Sequence, residues 1–265
     1  MFSLRRKELQ LYIEADILRN RKGLVHAFGT RWSADDIRED QSGNNLVDGK
    51  PFPVEGIASV IGARPCDIVM GVQVHGDHIV VIEDGSADKI GTKMCGGTPV
   101  CDGFITNRSW IAPAVRTADC VPLLIYDPRR RVVGMIHAGW KGTALSIASK
   151  AVDIFMKRFC SDPSELVSVI GPAAGPCCYE VGPEVYESME HNPWAREVFS
   201  PQKFGGKCML DLGSALRYQL LGQGLSPANI DILPLCTVCR DDLFHSRRGQ
   251  GEEAGRQVSA VMLTD

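Results

Sequence analysis

Short apolar runs, rich in β-branched residues and separated by turn formers, dominate the stretch from residue 68 to residue 137. Runs of this length and composition are typical of strands rather than helices. They predict strands at 68–75, 79–83, 102–106, 112–117, 121–126 and 131–137. The first two are predicted to form a hairpin, because Gly76 and Asp77 make a tight turn between them. A chain built on this pattern must bury most of its apolar side chains in sheets.

Helical periodicity begins only after Gly142. Leu145, Ala148, Val152, Phe155 and Met156 recur at spacings of three and four and predict one helix face. A strand is expected at 166–170, helices at 183–190 and 212–223, and a last strand at 256–263. Because strands outnumber helices and cluster into hairpins, the fold class expected is α+β with mixed β-sheets rather than a doubly wound sheet.

Composition fits one globular unit. The chain has 265 residues, 44% of them hydrophobic and 23% charged, which excludes a disordered or collagen-like protein. Loop-like stretches at 29–53 and 84–101 lack the composition of domain linkers, so a single domain over 1–265 is predicted. With 29 basic and 32 acidic side chains, the chain has no overall positive field to attract nucleic acid. No apolar stretch is long enough for a membrane helix, so we expect neither nucleic acid nor a membrane as partner.

Ten cysteines are the unusual feature of the composition. No apolar segment near the N-terminus suits a signal peptide, which predicts a cytoplasmic protein with reduced thiols. Cys236 and Cys239 form a CxxC, but a zinc ribbon needs a second pair nearby. The adjacent pair Cys177–Cys178 is poorly suited to chelating one tetrahedral metal. We therefore expect no closed zinc site at the CxxC, and most cysteines as small buried residues.

Three potential metal ligands lie near the ends of predicted strands: His75, Cys120 and His137. Two histidines and one cysteine make the ligand count of a catalytic zinc, whose fourth position stays open. Asp119 is a candidate partner of a ligand or a proton-transfer group. The same residues also fit a Cys–His nucleophile pair, and histidines at strand ends are often ordinary hydrogen-bonded surface residues. The spacing alone does not separate these interpretations.

A glycine-flanked turn follows His137, from Gly139 to Gly142. Its backbone N–H groups and the ammonium of Lys141 could seat a phosphate or another anion. The alternative is an ordinary loop whose glycines allow tight packing. Arg31, Arg247 and Arg248 lie in turn-like segments and are further candidates for an anion.

Taken together, several segments resemble a known family. These are Gln73-Val-His75-Gly76, Thr117-Ala-Asp-Cys120-Val-Pro, His137-Ala-Gly-Trp140-Lys-Gly-Thr143, Gly171-Pro172 followed by Cys178-Tyr-Glu-Val-Gly182, and Cys236-Thr with Phe244-His-Ser-Arg247-Arg. They resemble, in order, the motifs of the YfiH family, which was named for multicopper polyphenol (laccase-like) oxidoreductases and is regarded as a family of purine nucleoside enzymes.

The resemblance implies a single α+β domain with mixed sheets and layered helices. It implies that His75, Cys120 and His137 hold a metal, usually zinc, with copper also possible. Asp119 stays a candidate catalytic residue because of its position next to Cys120 in the sequence. The implied activities are phosphorolysis of adenosine, inosine, guanosine and methylthioadenosine, and deamination of adenosine. Purine nucleoside and phosphate would be the binding partners, with Lys141, Arg31 and Arg247 as candidate phosphate-binding residues. The sequence leaves any protein partner unknown.

The sequence departs from the family in its N-terminal part and beside the metal motif. Lys141 stands where the family usually has arginine, and the glycines that usually follow the block at Phe28–Arg31 are missing. The usual segments between 44 and 65 are not recognisable. These departures concern substrate contacts, so they bear on substrate range.

Two other activities stay open from the sequence. A copper-dependent, laccase-like polyphenol oxidoreductase would need about ten histidine ligands, and the chain has six. A metal-free hydrolase would use Cys120 as nucleophile with His137 or His75 as base.

Overall fold

A computed structural model describes residues 1–7, 10–31, 46–47, 50–51, 54–83, 98–201 and 206–265. The strands of these residues are β1 Phe2–Lys7, β2 Gln10–Ala15, β3 Leu24–Gly29, β4 Leu46–Val47, β5 Lys50–Pro51, β6 Ile68–Val69, β7 Ile79–Ile82, β8 Gly103–Thr106, β9 Ala112–Thr117, β10 Val121–Asp127, β11 Val132–Ala138, β12 Val167–Ile170, β13 Glu180–Val181, β14 Phe199–Pro201, β15 Cys208–Leu210, β16 Ile230–Ile232 and β17 Gln257–Leu263. The helices are α1 Glu55–Ile61, α2 Trp140–Ala144, α3 Ile147–Phe159, α4 Pro183–Glu187, α5 Ala195–Val198, α6 Leu212–Gly222 and α7 Arg247–Gln250.

Two six-stranded sheets form the centre of the protein. Sheet one has the strand order β1-β2-β3-β17-β9-β6, and sheet two has the order β16-β12-β10-β11-β8-β7. Both are mixed, because β6 is parallel to β9 in sheet one while β7–β8 and β12–β16 are parallel pairs in sheet two. Strands β13, β15 and β14 form a small third sheet.

The two large sheets pack against each other and are covered by helices on their outer faces. Side chains of both sheets share one apolar core, which includes Phe28, Leu124 and Val261. Helices α3 and α6 cover the other face of sheet two, and α1 covers the other face of sheet one. The expected α+β class, with mixed sheets and layered helices, is confirmed.

The central strands are buried on both faces, which explains their apolar sequence. In β10 all seven residues are buried. Leu123 and Ile125 pack towards the helices, and the alternate residues Leu124 and Tyr126 pack towards sheet one, as the two-residue period of a strand requires. The uninterrupted apolar run at 121–126 therefore reflects burial between two layers.

Most of the predicted elements from residue 102 onward are confirmed with small changes at their ends. Of the five residues predicted to share one helix face, four lie in α3, whereas Leu145 lies between α2 and α3, where Ser146 takes a left-handed conformation (φ 63°). Ala148, Val152 and Phe155 are fully buried, while Leu145 and Met156 are exposed.

The predicted hairpin between 68–75 and 79–83 is wrong. Strand β6 joins sheet one and β7 joins sheet two, so the segment between them crosses from one sheet to the other. The N–H groups of His75 and Gly76 donate to the buried carboxylate of Asp102 rather than closing a two-residue turn. His75, predicted at a strand end, instead lies in this crossover with a φ of 60°.

The loop-like stretches predicted at 29–53 and 84–101 lie mostly outside the described residues. The longest described helix, α3, has 13 residues, and no described helix is long and apolar enough to span a bilayer.

Buried His26 in β3 gives a test of the packing of sheet one. Its Nε2 accepts a hydrogen bond from the N–H of Ala15 at 3.0 Å. Burial, assisted by the positive charge of Arg19, lowers the pKa of His26 from 6.5 to about 4. Between these pH values the unfolded chain binds a proton that the folded chain does not, so the free energy of unfolding must fall as the pH falls through this window.

We expect His26→Gln to reduce this acid sensitivity, because the amide oxygen can accept the same N–H without titrating. Between pH 7 and pH 4.5, wild-type protein should lose about 2 to 3 kcal/mol more stability than the variant, as measured by denaturant unfolding. The same substitution at exposed His191 is the control. Equal pH dependence in wild type and His26→Gln would contradict the assignment.

Candidate metal centre

The structure brings the three predicted ligands together at one end of sheet two. Strands β10 and β11 are antiparallel neighbours in which Pro122 pairs with His137, so Cys120, two residues before Pro122, lies beside the same strand end. His75 arrives from the crossover between the sheets. The potential ligand atoms of the three side chains lie within 4.8 Å of one another, and the imidazole rings of His75 and His137 meet edge to face with centroids 4.8 Å apart.

Fully buried Asp102 holds the two histidines in place. Its Oδ1 lies 2.8 Å from Nδ1 of His137 and accepts the backbone N–H of His75 at 2.9 Å. Its Oδ2 accepts the N–H of Gly76 at 2.8 Å. Since a carboxylate fixes the proton on Nδ1, Nε2 of His137 is left to face Cys120 and His75. Asp102 was not among the predicted site residues, and its only signal in the sequence is its place directly before the apolar strand β8.

The thiol of Cys120 is poised as a thiolate. Burial acts to raise its pKa, but the neighbouring imidazoles of His137 and His75 outweigh burial and lower the pKa to about 6. For His137, burial acts to lower the pKa, yet the adjacent Cys120 and Asp102 raise it. The thiolate is the form of cysteine that binds metals and attacks electrophiles.

The residues present fit a metal ion. Two imidazole nitrogens and one thiolate are donors that both zinc and copper accept. His137 is buried, Cys120 is partly buried and His75 is exposed, so the group opens to solvent on the His75 side. Three protein donors leave room for a further ligand.

Gly139 provides the space beneath this group. A Cβ atom at this position would lie 2.9 Å from Cδ2 of His75 and 3.1 Å from Sγ of Cys120. Gly142 has a related role, because a Cβ there would lie 2.6 Å from the carbonyl oxygen of Gly76. Gly139 thus allows close packing against two ligands, and Gly142 allows close packing against the backbone next to His75. This agrees with the interpretation that the glycines of the turn serve tight packing.

Asp119 faces away from its neighbour Cys120. It has a φ of 90°, and its carboxylate oxygens accept the hydroxyl of Thr237 and the backbone N–H of Arg248, each at 2.7 Å. Its carbonyl oxygen accepts the N–H of Ala174. Asp119 therefore connects the metal group to two loops, 171–179 and 233–248, the second of which runs into the first residues of α7.

Tyr179 and Arg248 border the group from these loops. The guanidinium of Arg248 lies 4.9 Å from the centroid of the Tyr179 ring. Burial raises the pKa of Tyr179, and the negative charge of nearby Cys120 raises it further. Tyr179 was not singled out from the sequence, although it lies inside the motif Cys178-Tyr-Glu-Val-Gly182.

The candidate anion-binding residues lie at different places. Lys141, in α2, is exposed and its Nζ lies 5.6 Å from the centroid of the Trp140 ring. Arg247 pairs with Glu252 at 3.2 Å. Arg31 donates to the carbonyl oxygen of Asp241 at 2.5 Å, on the loop that leads to Arg248. The backbone N–H of Arg248 donates to Asp119, the neighbour of Cys120, which places Arg248 close to the metal group.

A second group of thiols was not expected. The described structure places the sulfur atoms of Cys177, Cys178, Cys236 and Cys239 within 4.8 Å of one another. The CxxC thus has a second pair after all, far from it in sequence, because the loops 171–179 and 233–248 run side by side. This second pair could not be recognised from the sequence, because a CxxC predicts a partner pair only nearby along the chain.

The sequence model of the family described as multi-copper polyphenol oxidoreductase laccase matches residues 54–264. The chain belongs to this family, and the resemblance to YfiH is confirmed. A crystal structure of the Bacillus licheniformis hypothetical protein YfiH is 29% identical, with a TM-score of 0.84 and coverage of 98% of this chain and 99% of that one.

Named relatives of the chain include two kinds of enzyme. A purine nucleoside phosphorylase of Bacteroides thetaiotaomicron is 30% identical over 238 residues, which are 88% of this chain and 83% of that protein. An adenosine deaminase from an unidentified prokaryote is 30% identical over 248 residues, 89% of this chain and 93% of that protein. These relatives support an enzymatic role for the chain.

We expect Gly139→Ala to weaken zinc binding by His75, Cys120 and His137 about tenfold or more, because the new methyl group displaces two ligands that must be held within about 0.5 Å. The backbone of Gly139 (φ −83°) accepts alanine, so the effect should come from the methyl contact alone. Imidazole NMR signals of His75 and His137 during zinc titration measure the affinity.

Gly222→Ala is the matched control, because nothing lies within 4 Å of the added methyl group. Unchanged zinc affinity in Gly139→Ala would show that the ligands do not pack on this glycine as described.

Proposed function

We propose that the chain is a metal-dependent purine nucleoside enzyme. It would cleave adenosine, inosine, guanosine and methylthioadenosine with phosphate, and deaminate adenosine with water. The observation that carries this proposal is the group of His75, Cys120 and His137, two imidazoles and a thiol open to solvent on one side, in a chain whose relatives of nearly full length are named as these enzymes.

His75, Cys120 and His137 would hold the metal, for which we propose zinc, with copper as the alternative. When bound, such an ion supplies a Lewis acid at the open position of the group. The donor set itself accepts either metal, so the choice of zinc rests on the proposed activity.

The chain's own groups would prepare the site. Asp102 holds the proton on Nδ1 of His137 and the backbone of His75, which fixes both rings before substrate arrives. Asp119 would act as a positioning residue, because both its carboxylate oxygens are engaged by Thr237 and Arg248. Its effect on the reaction would pass through the loops that it holds beside Cys120.

Phosphorolysis needs a cation to hold phosphate near C1′ of the ribose. We propose Lys141, Arg31 and Arg247 for this role. Lys141 is the strongest of the three, because it follows His137 by four residues and its ammonium is exposed. A nucleoside and phosphate would then be the small-molecule partners, without nucleic acid.

Since the described cysteines form no disulfide, we also propose that the protein works in the reducing cytoplasm.

A laccase-like oxidase is the second candidate, favoured by the family description and by a donor set that copper accepts. A laccase also needs a cluster of histidines for three further coppers. All six histidines lie in the described part of the chain, and His75 and His137 are the two that join a potential metal group there. His26 is buried in sheet one beside Ala15. The histidine supply therefore favours the nucleoside enzyme.

The test is a product assay with the zinc-loaded full chain. With adenosine and phosphate we expect adenine and ribose 1-phosphate, and with adenosine in water we expect inosine and ammonia. Cys120→Ala should lower kcat/KM for both reactions at least about a hundredfold, because it removes a ligand. Chromatography of the products gives both rates.

Cys66→Ala is the matched control, because Cys66 is an exposed thiol outside the group. Absence of all four products with metal bound would contradict the proposal. Oxidation of a phenol by O₂ together with a blue colour of the copper-loaded protein would favour the laccase-like alternative. Full activity in metal-free protein would favour a Cys–His hydrolase.

A further inference from the structure

Four cysteine thiols converge on the surface beside the metal centre. Cys177 and Cys178 come from the loop 171–179, and Cys236 and Cys239 come from the loop 233–248. The sulfur of Cys239 lies 3.6 Å from that of Cys177 and 3.4 Å from that of Cys178, and all four sulfurs lie within 4.8 Å of one another. None of these cysteines is a ligand of the group formed by His75, Cys120 and His137.

These separations match a single tetrahedral ion. Four sulfurs at the zinc–sulfur distance of about 2.3 Å are about 3.8 Å apart. A disulfide would bring two sulfurs to about 2 Å, and the four are free thiols. An iron–sulfur cluster would hold its cysteines further apart, since several iron and sulfide ions separate them. The spacing therefore favours one ion.

The backbone around Cys236 is arranged as thiolate ligands require. The N–H of Gly175 donates to Sγ of Cys236 at 3.3 Å, and the N–H groups of Val238 and Cys239 also bond to this sulfur. Such N–H···S bonds compensate negative charge on a ligating sulfur. A side chain at position 175 would crowd both cysteine pairs, because its Cβ would lie 3.3 Å from Cβ of Cys236 and 3.4 Å from Sγ of Cys177.

A backbone bridge aligns the two loops. Ala173 and Cys236 form a parallel bridge, in which Ala173 donates to Leu235 and accepts from Thr237. This bridge explains how an adjacent cysteine pair can serve the same centre as a CxxC. The loops approach side by side, and each contributes two sulfurs from the same end of the bridge.

We propose that Cys177, Cys178, Cys236 and Cys239 form a closed tetrathiolate zinc site. Its role is structural, because all four positions around the ion are filled by protein. Zinc binding would release the protons of those thiols that are still protonated. The site would hold together the two loops that place Tyr179, Thr237 and Arg248 near Asp119. Asp119 itself directly precedes Cys120 in the chain. It is a site separate from the one in the proposed function and does not depend on the reaction catalysed.

The test uses Cys120→Ala, which removes a ligand of the other metal group and leaves the four thiols intact. We expect this variant, purified under reducing conditions, to retain about one zinc per chain by elemental mass spectrometry. X-ray absorption at the zinc edge should show a shell of sulfur alone at about 2.3 Å. Loading with Co²⁺ should give the visible spectrum of a tetrahedral tetrathiolate.

The double variant Cys120→Ala/Cys239→Ser should lose this zinc, whereas Cys120→Ala/Cys66→Ser, which changes an exposed thiol outside the cluster, should keep it. Three results would overturn the proposal: no zinc in reduced Cys120→Ala, a nitrogen-containing shell around its zinc, or undiminished zinc in the Cys239→Ser double variant. None of these measurements uses a nucleoside. The zinc site can therefore be confirmed when the proposed function is contradicted, and the proposed function can be confirmed when the zinc site is contradicted.

Discussion

The buried carboxylate of Asp102 is the interaction on which the arrangement of the metal centre depends. It binds Nδ1 of His137 from β11 and the backbone of His75 and Gly76 from the crossover segment. An anion with no exposed surface is tolerable only when its oxygens are fully engaged. These partners provide that engagement, and the carboxylate in turn holds the crossover segment between the two sheets against the end of β11 in sheet two.

A second carboxylate, Asp119, extends this order to the outer loops. It lies next to Cys120 and bonds to Thr237 and Arg248, which belong to the loop that carries the CxxC. The four thiols of the cluster are carried by the same loops. The proposed catalytic ligands and the proposed structural zinc are thus joined through a few hydrogen bonds, so loss of the outer ion should loosen the residues that border the inner group.

Sequence reasoning succeeded where local pattern and burial agree. Strands β9, β10 and β11 are buried on both faces, so their apolar runs define them without tertiary information. It failed where a residue distant in the sequence determines the local backbone structure. The turn signal at Gly76 predicted a hairpin, but Asp102 takes up the N–H groups there. Strand β1, with the sequence FSLRRK, was not predicted, because an exposed edge strand needs little apolar pattern.

The candidate site was predictable to the same degree. The motifs identified His75, Cys120 and His137, which the fold does bring together. Nothing in the sequence told which acidic residue would be buried against His137, so Asp102 was missed. The roles of Lys141, Arg31 and Arg247 stay predictions.

The dependence of the metal centre on Asp102 is tested most directly by the zinc affinity of the Asp102→Asn variant. This affinity can be measured as the zinc concentration that protects Cys120 from alkylation, detected by peptide mass spectrometry. The amide keeps the shape but loses the charge, so zinc affinity should fall about ten- to a hundredfold. Asp153→Asn, at a partly exposed position on α3 that pairs with Lys157, should leave the affinity unchanged. Wild-type affinity in Asp102→Asn would contradict the account.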